Sequence, residues 1–319
     1  MNTIDRALDT LLDTTVLPGY TKIGSSVRRR FWAPDPPAFD TPVDVVITGA
    51  GSGLGAAAAL DLARLGARVH LIGRTASRLE TTAADIRSTV PGAEVVIRPA
   101  DLSDLDSVSV LARDLRADLP RIQALVHSAG VMPDSRTLSS QGHESAYATH
   151  VLGPVALTAA LRGTFDHRSR VVFVSSGGMY PVPLRFTDFK YTQGTYKGMT
   201  AYARTKRMQV VITEQLAERL TAPDDPVVHS MHPGWAKTPG VTAAMPGFNT
   251  VLGPLLRTAS DGADTAVWLA ASPLALDSTG KFWHDRRVRP THFLPWQSDD
   301  PTARHALWDH VAAATGVTF

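Results

Sequence analysis

Cysteine is absent from all 319 residues. That excludes disulfide bonds, thiolate nucleophiles and cysteine-ligated zinc, and it fits a reducing compartment, so a cytoplasmic location is expected. Long apolar runs are missing as well. No stretch reaches the roughly 18 consecutive apolar residues of a membrane-spanning helix. The first residues, with Asp5, Asp9 and Asp13, lack the basic-then-apolar pattern of a secretory leader. Nor does one sign of charge dominate: 32 Lys and Arg against 30 Asp and Glu leave +2. Such a balance gives no electrostatic basis for nucleic-acid binding. The histidines, among them His127, His143, His229 and His232, show no spacing such as His-Glu-x-x-His, so no metal site is expected and they read as structural or pocket-lining.

What remains is an ordinary globular composition, 44% hydrophobic and 19% charged, able to bury a large core. Residues 1–42 read as an N-terminal extension and linker. Ile4, Ala7, Leu8, Leu11 and Leu12 recur at helical spacing, which predicts a short amphipathic helix ended by Pro18-Gly19. Arg28-Arg29-Arg30-Phe31-Trp32 follows, then a proline-rich stretch to Pro42. This basic–aromatic cluster has two readings. One is weak contact of residues 1–32 with an anionic membrane surface. The other, favoured, is an arm packed on the main domain with its arginines in water.

From Val43 to the C-terminus the pattern is that of one α/β domain. Val43–Thr48, Arg68–Ile72, Glu94–Arg98, Ala124–His127, Arg170–Ser175 and Val227–Met231 are short apolar runs, and a last strand is expected after Gly280. Helical patterns alternate with them at 54–65, 78–89, 105–119, 144–161, 201–220 and 263–271, and Asp300-Pro301 opens a closing helix. Runs that are apolar on both faces, alternating with helices, predict a doubly wound parallel sheet of Rossmann type.

Between the first strand and helix lies Thr48-Gly49-Ala50-Gly51-Ser52-Gly53-Leu54-Gly55. Glycines there let backbone N–H groups approach a pyrophosphate at a helix N-terminus. The Lys-Ser/Thr of a nucleoside-triphosphate loop is missing. After the second strand stand Gly73 and Arg74, where an acid would select the free ribose of NAD. A cation in that place favours the 2′-phosphate of NADP(H) over NAD(H). Among six tyrosines, only Tyr202 has a lysine, Lys206, four residues later. On a helix the two share a face, and an ammonium beside a phenol favours the phenolate.

The spacing of Thr48, Gly49, Gly53 and Gly55, with Ser175-Ser176, Tyr202/Lys206 and Pro233-Gly234-Trp235-Ala236-Lys237-Thr238 in that order, resembles the short-chain dehydrogenase/reductase family. The resemblance implies hydride transfer between a nicotinamide and a carbonyl or alcohol, with Tyr202 exchanging the proton. It implies that Ser176, with Ser175 as close competitor, holds the substrate oxygen, and that Lys206 also holds the nicotinamide ribose. Cofactor contacts are expected from Thr48, Gly49, Ser52, Gly53, Leu54, Gly55, Arg74, Tyr202, Lys206, Pro233, Gly234 and Thr238. Asp101-Leu102 would border the adenine, although Asp101 could equally cap a helix near Ser103. Ser128-Ala129-Gly130 departs from the family's Asn-Ala-Gly but keeps its Ala-Gly. A second departure is larger: His150 stands where a catalytic asparagine is usual. Histidine can relay protons, so activity is expected. The alternative is a catalytically weak NADP(H)-binding sensor or scaffold. The 25 residues between Ser176 and Tyr202 hold Met179, Tyr180, Phe186, Phe189, Tyr191 and Tyr196. They would wall an apolar pocket for a lipophilic ketone, aldehyde or secondary alcohol, or only pack the loop down. Residues 235–256, with Trp235, Met245, Phe248 and Leu252, would form a lid. A homo-oligomer is a further implication of the resemblance.

Overall fold

A computed structural model of the chain describes residues 3–185, 187–238 and 252–319. The expected lid residues Met245 and Phe248, and Phe186 of the aromatic loop, lie outside these. Among the described residues there are eight strands: β1 (Val43–Thr48), β2 (Ala67–Gly73), β3 (Val95–Pro99), β4 (Ala124–His127), β5 (Arg170–Val174), β6 (Val227–Met231), β7 (Lys281–His284) and β8 (Arg287–Val288). They form one sheet in the order β3-β2-β1-β4-β5-β6-β7-β8. Strands β1 to β7 run parallel, and only β8 turns back against β7. Val45, Val46 and Ile47 are wholly buried, because side chains pointing to either face meet helices.

The extension consists of α1 (Thr3–Thr14), α2 (Val16–Tyr20), α3 (Lys22–Arg28) and a 3-10 turn (Arg29–Phe31). One layer on the sheet holds α4 (Gly53–Arg64) and α5 (Ala76–Thr89); the other holds α6 (Leu105–Asp118). Next comes an irregular helix: α7 (Ser145–Tyr147), a π turn (Ala148–Leu152) and α8 (Gly153–Ala160). Three long helices follow: α9 (Gly198–Arg219), α10 (Ala259–Ala271) and α11 (Pro301–Thr315). Helix α10 packs with α4 and α5, whereas α8, α9 and α11 share the face of α6. Sheet order reverses between β1 and β4. A crevice therefore opens beyond the C-terminal ends of those strands, where doubly wound sheets bind ligands.

The extension corrects two expectations. Pro18-Gly19 lies inside α2 rather than ending a helix. Proline fits there because the first turn of a helix has no internal partner for its N–H groups. The arginine cluster is also split. Arg28 is fully buried, donating to Asp9 Oδ1 (2.9 Å), Gly19 O (3.0 Å) and Asp285 Oδ2 (2.9 Å). Arg29 pairs with Asp261, and both Arg29 and Arg30 are exposed. The first of the three arginines is thus neither solvated nor available to a membrane. Asp285 also accepts from Arg257 Nη2 at 2.9 Å. It sits with Arg286 in the two-residue turn between β7 and β8, both at positive φ (51° and 56°). Such turns ordinarily use glycine or asparagine. Here ion pairs hold the left-handed backbone: Asp285 to Arg28 and Arg257, Arg286 to Asp264.

Candidate active site

The crevice is a cavity of about 630 Å³. Gly49, Gly51, Ser52, Gly53, Leu54 and Gly55 line one end, at the N-terminus of α4. Gly49 has φ +70°, and a Cβ there would come within 2.6 Å of Ala129 Cα. A Cβ on Gly55 would stand 2.4 Å from Gly49 O. Three backbone segments thus meet at a closeness that only glycine allows. Thr48 is placed differently from expectation. It is buried, does not line the cavity, and accepts the Ala129 N–H on its hydroxyl at 3.2 Å. Its part is to fasten the 128–130 turn to the end of β1.

Gly73, Arg74, Asp101, Leu102, Ser128, Ala129 and Gly130 line the same wall. Asp101 Oδ1 accepts from the backbone N–H and hydroxyl of Ser103 (2.9 and 2.8 Å), while the cap of α6 is Asp104. Asp101 therefore borders the cavity and fixes its own turn, but it does not cap the helix. Arg78 and Thr75 also line this end. Neither stands out in the sequence. The signal for Arg78 was its place in the first turn of α5, opposite Gly51, whose added Cβ would meet Arg78 Cβ at 3.1 Å.

At the other end lie Ser176, Tyr202, Lys206, Pro233, Gly234, Trp235 and Thr238, with Val131, Met132 and Met199. Ser175 uses its hydroxyl to donate to Lys206 O at 2.8 Å. Ser176 accepts Gly178 N–H at 3.1 Å, and its hydroxyl faces that of Tyr202 across the cavity lining. Burial pushes the Tyr202 pKa up, and the Ser176 hydroxyl works against that rise. Lys206 Nζ lies 5.4 Å from the Tyr202 ring centre and donates to Val174 O (2.7 Å) and Gln209 Oε1 (3.0 Å). Burial without a carboxylate partner pushes this lysine down to about 7.

His150 is fully buried and does not line the cavity. Its Nε2 accepts the Val131 N–H at 2.9 Å. Its Nδ1 is 2.7 Å from Thr205 Oγ1, and Thr205 spends its own proton on Tyr202 O at 2.8 Å. Nδ1 must therefore carry the hydrogen, and both ring nitrogens are committed. Burial holds the ring neutral, well below the usual histidine range. The expected passage of protons from the ring to Lys206 has no hydrogen bond to carry it among the described contacts. The ring instead positions the 131 loop and the backbone of α9.

The aromatic loop mostly packs down rather than walling the cavity. Met179, Phe189 and Tyr191 are buried away from it, Tyr180 stacks on Phe293 (4.4 Å), and Tyr196 donates to Glu144 Oε1 (2.8 Å). Trp235 does line the cavity, held by its N–H to Tyr20 O (2.7 Å) in the extension. The tie of Trp235 to the extension was not legible in sequence.

The family model for short chain dehydrogenase matches residues 44–246. The chain belongs to the short chain dehydrogenase family. It is 37% identical over 295 residues to dehydrogenase/reductase SDR family member 12 of Bos taurus, covering 90% of this chain and 91% of that one. It is 32% identical to retinol dehydrogenase 14 of Mus musculus, covering 86% of each. A crystal structure of a protein from Mycobacterium paratuberculosis superposes with a TM-score of 0.69 at 29% identity, covering 89% of this chain and 97% of that one. As a member of this family the chain is an NAD(P)-dependent dehydrogenase/reductase. The cavity suits such a dinucleotide, with bare glycine backbone at one end and Ser176 and Tyr202 at the other. Among the described residues no group of three potential metal ligands occurs, and no helix is long and apolar enough to cross a membrane.

Proposed function

We propose that the chain is NADP(H)-linked and interconverts a lipophilic ketone or aldehyde with its alcohol. The observation that carries this reading is that Ser176, Tyr202 and Lys206 line one end of the cavity together, with Lys206 Nζ 5.4 Å from the Tyr202 ring centre. The hydride is what the nicotinamide supplies when bound. In reduction Tyr202 gives its hydroxyl proton to the carbonyl oxygen, while the Ser176 hydroxyl steadies that oxygen. In oxidation the proton returns. Lys206 favours the phenolate by its charge. Pro233, Gly234 and Thr238 would orient the nicotinamide, since hydride transfer demands close alignment. Gly73, Arg74 and Arg78 support NADP(H), because two guanidinium groups line the cavity where an acid after the second strand would select the free ribose of NAD. Met132, Met199 and Trp235 support a lipophilic substrate.

The test is Tyr202→Phe, assayed by NADPH consumption over a panel of ketones and aldehydes. Turnover should fall by about 10²–10⁴, with NADPH binding kept. Turnover at the wild-type rate in this variant would refute the assignment.

A further inference from the structure

Helix breakage beside the site leaves one carbonyl without its natural partner. Pro154 has no N–H, so His150 O, four residues earlier, gets no α-helical donor from it. The chain forms a π turn over Ala148–Leu152, in which Gly153 N–H reaches back to Ala148 O. His150 O is buried among side chains, where an unpaired acceptor is costly. Its donor comes from another helix: Gln209 Nε2, at 2.9 Å. The other atom of that amide, Oε1, accepts from Lys206 Nζ at 3.0 Å. Gln209 is 1% exposed and Lys206 3%, so the pair is shielded from water. The carbonyl also fixes which way the amide faces: its NH₂ must point to His150 O, which turns the oxygen to the lysine.

We infer that Gln209 is the positioning residue of Lys206, bridging its ammonium to the carbonyl that the π turn frees. The inference rests on reading Tyr202 and Lys206 as the catalytic pair. Val174 O and Gln209 Oε1 are the acceptors of Lys206 Nζ. The titratable groups that face it are Tyr202 on its own helix and the neutral His150 ring across from it. No described carboxylate pairs with it. Its charge is thus sustained by neutral dipoles, and the Gln209 amide is one of them. Loss of that dipole makes the ammonium harder to keep, and a carboxylate in its place makes it easier.

The experiment uses the full chain with NADPH and 9,10-phenanthrenequinone, a reactive dicarbonyl. Turnover is followed over about pH 6–10 for wild type, Gln209→Leu, Gln209→Glu and Tyr202→Phe. NADPH affinity by fluorescence titration over the same range gives a readout that needs no turnover. In Gln209→Leu the alkaline midpoint of both curves should move to lower pH, and kcat/KM near pH 8 should drop about 10-fold or more. In Gln209→Glu, which keeps the shape of the side chain, the midpoints should move to higher pH. Wild-type midpoints in both Gln209 variants would overturn the inference. If Tyr202→Phe is inactive in that case, the catalytic reading of Tyr202 still stands. Wild-type turnover by Tyr202→Phe would overturn both.

Discussion

Lys206 is a buried amine held by two neutral acceptors, and this has an energetic cost that the rest of the fold must offset. Its folded pKa lies near 7, against about 10.4 for the unfolded side chain. Below pH 7 both states are charged, and the full penalty of burying the ammonium is felt. As pH rises from about 7 to 10.4, the unfolded chain keeps a proton that the folded one has released. Stability therefore climbs over that window. Lys206→Met should accordingly be inactive yet melt higher than wild type below pH 7, by several degrees. The gap should shrink towards pH 10, as thermal melts across pH would show. At the opposite end of the cavity Arg74 and Arg78 both line the wall. Arg74→Ala should cut the NADPH-over-NADH preference by about 10-fold or more, read from the two dissociation constants. An unchanged preference would remove Arg74 from that role. The sequence exposed Tyr202, Lys206 and Arg74 because each is singular by spacing or by charge. It hid Gln209, since nothing in a helix interior marks a glutamine whose two partners come from elsewhere.

Strands were the easiest elements to locate. β1, β4 and β6 begin and end where their largely apolar runs do, because strands covered by helices on both faces read as near-continuous apolar segments. β8 was invisible: two residues carry no period. The π turn was equally hidden, since Ala148–Leu152 has the composition of any buried helix, and only Gly153-Pro154 marks the break. The role of the extension could not be read either, because its partners Arg257, Asp285 and Arg289 lie at the other end of the chain. Arg28 joins Asp9 to Asp285, and Asp285 holds Arg257. Arg257 Nε in turn donates to Tyr20 O, the acceptor of Trp235 N–H. Arg28→Met should leave two carboxylates under-paired, which costs about 3–5 kcal/mol when a buried pair is broken. The expected signs are a lowered melting temperature, protease cleavage within the first 31 residues and weaker NADPH binding. Resistance to proteolysis equal to wild type would show that the other contacts suffice.

At the scale of the molecule, burial of neutral histidine sets the response to acid. His127 and His284 are each held down to about 3, and His150 and His232 are also depressed, in every case chiefly by burial. Below about pH 6.5 the unfolded chain gains protons at these sites that the folded chain refuses. Stability should begin to fall there. A second decline should follow below about pH 4, where the ion pairs of Asp44, itself held near 2, are lost. His127→Gln should flatten the first decline and leave the second, as melting curves between about pH 7 and 3 would reveal. One more consequence follows from the salt bridge between Arg28 and Asp285, residues 257 positions apart. The Asp285 partner of Arg28 does not exist until 257 further residues have been synthesised. At about 5–20 residues per second that is a wait of roughly 13–50 s on the ribosome. During it Tyr20 and Leu12, buried in the finished protein, have no partners. A nascent chain of this protein thus has a window in which this segment is open to chaperones, and its docking waits on the strand that carries Asp285 into place.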